Sequence, residues 1–250
     1  MDTRKRAQGF TLVEMAIVLV IIGIILAGVM KGRDIVRGAQ MKEFAQSFGN
    51  KWVTMAQSYY DKIGQHLSDG SNNGSATAGT VLANGRIDSG YPTTNANKDK
   101  LMLALQAAGV DPCSNIKTIV TGTYTAGAGV RACQQGKDPF LFRADAEGIG
   151  QTDIQVGFGS ITDTSDSNRV KNGVAFTNIP VEFAKALDTI VDGEADGKQG
   201  LGLYLGNTAA KGGLTNLLTG YQEARDRTPA TFPNYTGTSE VVEYFVTLDY

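Results

Sequence analysis

The chain has 250 residues, 42% of them hydrophobic and 19% charged, enough for a sizeable core in one or two domains. A formal charge of −2 offers no balance suited to a polyanion, and a single histidine with two cysteines excludes most catalytic triads, His-rich metal sites and Cys-based zinc sites. The average conceals an asymmetry: residues 1–60 hold 8 Lys/Arg against 4 Asp/Glu, whereas residues 61–250 hold 15 against 21. A basic start precedes an acidic remainder.

Residues 10–30, FTLVEMAIVLVIIGIILAGVM, carry one charge, Glu14. As a helix they would extend about 32 Å, the thickness of a bilayer's hydrocarbon core. Arg4, Lys5 and Arg6 precede the run, and Lys31, Arg33 and Arg37 follow it. The short basic leader is expected to stay inside and the long remainder to be exported. A secretory signal peptide would need a shorter apolar stretch and an A-x-A-like site after it, and neither is present. A plain signal anchor leaves Glu14 unexplained. A carboxylate in the bilayer costs about 2.5–3.5 kcal/mol on insertion scales and needs a cation. No Lys or Arg lies within a turn of it inside the run. A cut between Gly9 and Phe10 would supply one, the new α-amino group of Phe10, which is largely protonated near neutrality.

The basic leader, Ala7-Gln8-Gly9, then Phe10-Thr11-Leu12-Val13-Glu14 and the apolar run resemble the type III signal of type IV prepilins and secretion pseudopilins. The resemblance covers about residues 4–31. It implies leader removal after Gly9 by a prepilin peptidase, N-methylation of Phe10, and assembly by inner-membrane machinery into a homo-oligomeric filament cored by the apolar helices. Glu14 takes from it the role of setting subunit register. The implied path runs from a single-pass inner-membrane precursor to an extracellular pilus or periplasmic pseudopilus. The subunit is thus a structural pilin, with a minor pilin or secretion pseudopilin as the alternative. A membrane-anchored exported enzyme or binding domain is the rival from another class. Many such subunits carry a proline near the end of the run; here none occurs before Pro92, and Gly23, Gly28 and Gly32 are the helix-weakening residues instead.

Past residue 30, Met41, Phe44, Phe48, Trp52, Met55, Tyr59, Ile63 and Leu67 recur at spacings of three or four, predicting an amphipathic helix over 31–67 with Gly49 and Gly64 as tolerated interruptions. Its stripe is expected to pack on the chain's own sheet. The expected layout is therefore a leader over 1–9, a membrane or filament-core helix over 10–30, the amphipathic helix over 31–67 and a β-rich head over 68–250. The fold class is α+β and pilin-like, a long N-terminal helix on an antiparallel sheet.

Residues 68–98 are rich in Gly, Asn, Ser and Thr and read as mostly surface loop. Asn97 reads as the cap of a short helix ending at Gly109. Strands are expected at 116–125, 129–134, 139–144, 152–162, 173–178 and 240–248, with a helix from Pro180 to Val191. Cys113 and Cys133 flank a predicted hairpin, and an exported setting favours a disulfide worth roughly 3 kcal/mol. Asp192, Glu194 and Asp196 alternate before Gly197 like ligands of a calcium loop, although Leu203 stands where the bidentate Glu of an EF-hand belongs; a structural turn is the competing reading. No other cofactor is expected. His66 reads as a partly charged helix-end residue. With no G-x-S-x-G and no P-loop, no active site is expected, and the acidic head disfavours nucleic-acid capture.

Overall fold

A computed structural model describes residues 11–75, 82–88, 90–117, 120–122, 124–131, 133, 136–163, 169–197, 200–207 and 241–248. The chain divides into two compact units, Met1–Ala39 and Gln40–Tyr250. Helix α1 covers Leu12–Phe44, a π-helical turn Ala45–Gly49, and α2 Asn50–Ile63. In the first unit the helix is exposed on all sides, with Leu12, Leu19, Ile24 and Met30 each at least 67% accessible. It is the one helix among the described residues long and apolar enough to cross a membrane. Gly23, Gly28 and Gly32 do not interrupt it.

In the second unit the helical run becomes one-sided, as the three-and-four spacing requires. Phe44, Phe48, Trp52, Met55 and Tyr59 are buried. Their rings build a cluster with the sheet and a later helix: Phe44 lies 5.2 Å from Phe142, 5.9 Å from Phe176 and 5.8 Å from Phe183, all edge-on. Edge-to-face packing suits the ring quadrupoles and adds about 0.5–1.5 kcal/mol per pair beyond burial. The helix ends earlier than the stripe suggests. Gly64 adopts φ 73° and its N–H caps Tyr60, so Leu67 is buried from a loop and Ile63 is left 42% exposed.

Helix α3 is Asn95–Ala107, followed by the single turn α4, Pro112–Asn115. Thr94, not Asn97, caps α3; its side chain accepts the Asn97 N–H. The short strands β1, Val120–Thr121, and β2, Lys137–Asp138, pair with each other. The main sheet comprises β3 (Leu141–Ala146), β4 (Gly150–Asp163), β5 (Arg169–Pro180), β6 (Gly202–Asn207) and β7 (Val241–Thr247), antiparallel throughout in the order β3-β4-β5-β7-β6. Helix α5, Val181–Asp192, leaves β5 directly and lies against the face that receives α2. The layout is α+β and pilin-like, with the long N-terminal helical run on a five-stranded antiparallel sheet.

The helix-side face of the sheet is buried, and the opposite face is buried in part, with Arg143 and Asp145 of β3 exposed on it. Ile154, Val156, Phe158, Val174, Phe176 and Tyr244 join the helix-side core, while Ile161, Ala175, Leu203, Leu205 and Phe245 form a smaller cluster with Tyr91. Of the predicted 116–125 and 129–134 strands, the described residues show only β1, and a helical turn capped by Asp111, which accepts the Cys113 N–H, stands just before them. Strand β6, GLYLGN, was not expected; its three glycine-and-asparagine positions mask the strand formers between them.

The 68–98 segment is less superficial than its composition suggests. Asp69 accepts the N–H groups of Asn84 and Gly85 at 2.9 and 2.8 Å, and Asp88 accepts that of Gly70 at 2.9 Å. Asn172 of β5 accepts the Ile87 N–H, and Gly90 bridges to Phe158. These bonds strap the loop to the sheet and bury Asp69, Asn73, Ile87 and Tyr91.

Candidate functional site

The exposed rod begins with a reciprocal cap. The Thr11 N–H and Oγ1 both donate to Glu14 Oε2, at 2.7 and 2.9 Å, while Thr11 Oγ1 accepts the Glu14 N–H at 3.3 Å. A helix start leaves its first N–H groups without intrahelical partners, and a T-x-x-E sequence satisfies two of them at once. Sequence reasoning sought a cation for Glu14 and overlooked Thr11, although the T-x-x-E signature stands in the sequence. Gly9 and Phe10, the expected cleavage and methylation residues, lie outside the described residues. Beyond Glu14, among the described residues and apart from the helix's own neighbouring backbone, nothing lies within 4 Å of a Cβ built on Gly23, Gly28 or Gly32.

Cys113 and Cys133 form a disulfide. The loop's Tyr124, and Asp138 just beyond the loop, are both tied to α3. The Lys98 ammonium of α3 pairs with the Asp138 carboxylate, their side chains 7% and 0% exposed, and Asp138 Oδ1 accepts the Phe140 N–H at 3.0 Å. The Tyr124 hydroxyl donates to Asp99 at 2.8 Å. A buried ion pair survives only where its remaining lone pairs are hydrogen-bonded, which the Phe140 amide does for Asp138.

The candidate calcium ligands do not gather. Asp192 directs both oxygens at backbone, accepting Leu201 and Gly202 N–H groups at 2.8 Å each. Glu194 is exposed, and among the described residues no three His, Cys, Asp or Glu side chains are grouped to hold a metal. The acidic stretch forms a carboxylate-stitched turn between α5 and β6. Its buried member is Asp188. Asp188 accepts the Tyr244 hydroxyl at 2.5 Å and the Gly197 N–H at 2.7 Å. Burial pushes its carboxyl up to about 6, against the lowering effect of those two bonds. His66 also departs from expectation: it is buried against the Tyr60 ring, centroids 4.7 Å apart, and desolvation lowers its pKa despite nearby Asp69.

With the exposed rod and its Thr11–Glu14 cap in place, the comparison with known families decides what this end of the chain is. Residues 4–30 match the family model of the prokaryotic N-terminal methylation motif. This is a type IV prepilin/pseudopilin-type signal. No curated protein and no solved structure matches the chain significantly. The signal supports a type IV pilin- or pseudopilin-like protein. It implies handling by a prepilin peptidase and assembly into a pilus-type system. Together with the apolar helix it is consistent with a membrane-anchored precursor. The matched span ends where the apolar run ends, so signal and rod are one feature.

Proposed function

We infer that the chain is a structural filament subunit rather than an enzyme. A prepilin peptidase removes residues 1–9, Phe10 becomes the N-methylated first residue, and the rod over 10–30 moves from the inner membrane into the core of a type IV pilus or related secretion filament. The observation that carries this reading is the coincidence of the methylation-type signal at residues 4–30 with a helix whose apolar side chains find no cover in their own unit. Such a surface is stable only in lipid or against other copies of itself. In the filament the Glu14 carboxylate would accept the Phe10 amine of a neighbouring copy, so that charge neutralisation sets the stagger. The head beyond residue 40, rigidified by its disulfide and sheet, would form the filament surface.

Intact mass spectrometry of the membrane-extracted protein tests this directly. The expected mass lacks residues 1–9 and carries one added methyl group. A full-length, unmethylated mass in cells that process other prepilins would overturn the reading.

A further inference from the structure

The apolar rod ends at Met30, but the helix runs on through the sequence Lys31, Gly32, Arg33, Asp34, Ile35, Val36, Arg37, Gly38. Three of these eight residues are cationic and one, Asp34, is anionic. At about 100° per residue, Arg33 and Arg37 fall on one stripe and Lys31 on another side, a partial ring left open along Ile35 and Val36. Lys31 and Arg33 are exposed and Arg37 partly so; Ile35 and Val36 between them are 72% and 60% exposed. From Lys31 to Arg37 the ring is about 9 Å tall, comparable with the ~5–8 Å headgroup layer on one side of a bilayer.

We propose that this ring binds the phosphates of anionic phospholipid headgroups on the head side of the membrane, with Arg33 and Arg37 as the principal contacts. The proposal rests on the reading of residues 10–30 as a membrane span. Guanidinium groups one helical turn apart suit phosphate oxygens, which they engage bidentately, and their long apolar stems can follow the hydrocarbon boundary while the charge reaches the headgroups. Ile35 and Val36 dip into the same boundary. Topology does not account for the ring, because basic residues favour the side that is not translocated, and these are expected on the exported side. A headgroup ligand does account for it: each cation near an anionic surface favours association by about fivefold.

The test uses the full chain reconstituted in phosphatidylcholine vesicles, with spin-labelled phosphatidylglycerol or spin-labelled phosphatidylcholine as the probe. Electron paramagnetic resonance measures the motionally restricted fraction of each. Wild type is expected to prefer phosphatidylglycerol, and Arg33→Gln/Arg37→Gln to reduce that preference about fivefold or more. The variant Arg4→Gln/Lys5→Gln/Arg6→Gln, which removes the cations of the opposite flank, is expected to leave most of it. Equal association of both probes with wild type, or loss of preference only in the leader variant, would overturn the proposal. If Arg33→Gln/Arg37→Gln keeps its lipid preference but fails to enter filaments, the ring contacts another copy of the chain and the proposal is likewise overturned. Failure of wild type to enter either membrane would instead remove the membrane-span reading itself, and the ring's ligand with it.

Discussion

Asp188 is the residue whose chemistry the fold alters most. Its folded pKa, about 6, lies above the ordinary carboxyl value of 3.8, so the native state holds its proton more tightly than the unfolded chain. The associated stability is fully present below pH 3.8 and is lost as pH rises through about 6. His66 acts in the opposite sense: its lowered pKa makes the unfolded chain the better proton acceptor, so acid weakens the fold below about pH 6.5. The informative measurement is therefore a difference. Asp188→Asn is expected to remove the part of the pH–stability slope between pH 4 and 6 that favours acid, visible as steeper acid destabilisation than wild type in denaturant titrations. Parallel slopes would contradict the buried-carboxylate account. At the other end of the chain, Glu14→Ala is expected to leave the head's melting transition unchanged, because among the described residues Glu14 bonds Thr11 of its own unit. The same variant should sharply reduce sheared-filament yield, and wild-type yield would refute the register role.

Among the elements, the π-helical turn and α5 show how a glycine is used for proximity. A Cβ on Gly49 would sit 2.8 Å from a Leu187 methyl group. Gly49→Ala is expected to destabilise the head by about 1–3 kcal/mol, the usual range for overpacking. Leu187→Ala in the same chain should recover part of that loss, and a double-mutant cycle with no coupling would show that the two elements do not press on each other. From sequence Gly49 reads as a tolerated interruption, because the stripe of Phe44, Phe48 and Trp52 passes through it without revealing that a second helix lies above. The disulfide-closed loop 113–133 has a second fastening beside it, the buried Lys98–Asp138 pair. Removing the disulfide in Cys113→Ala/Cys133→Ala is expected to cost about 3 kcal/mol or less. Lys98→Met, which strands the Asp138 charge in the interior, should cost about 3–5 kcal/mol. Urea unfolding of both variants ranks the two fastenings, and a costlier disulfide would reverse the assignment.

Across the molecule, legibility followed the range of the interactions involved. The rod, the amphipathic stripe, α5 and the cysteine pair were readable because each is specified by residues close in sequence or by a single scarce residue type. Thr11 as a cap is legible too, in the T-x-x-E spacing to Glu14. The strapping of the 68–98 segment was not, because Asp69, Asp88 and Asn172 act as substitutes for a hydrogen-bond ladder only after the sheet brings them together. Likewise β6 is a strand because β7 pairs with it, not because GLYLGN favours extended structure on its own.

The order β3-β4-β5-β7-β6 also constrains when the head can exist. β5 and β6 are consecutive strands in the chain yet have no bonds to each other; β7, synthesised after both, is wedged between them. A nascent chain that has presented everything through Asn207 possesses only the β3-β4-β5 hairpin sheet, with β6 unattached. Residues 208–247 must arrive before the sheet closes, and the pairings that β7 makes with β5 and β6 span long stretches of chain, the slow kind to form. A half-delivered head is therefore soft and unfinished until Thr247 docks. Threading through a membrane favours such a chain, and a proteolytic nick or truncation before β7 would be felt on both of its neighbours at once.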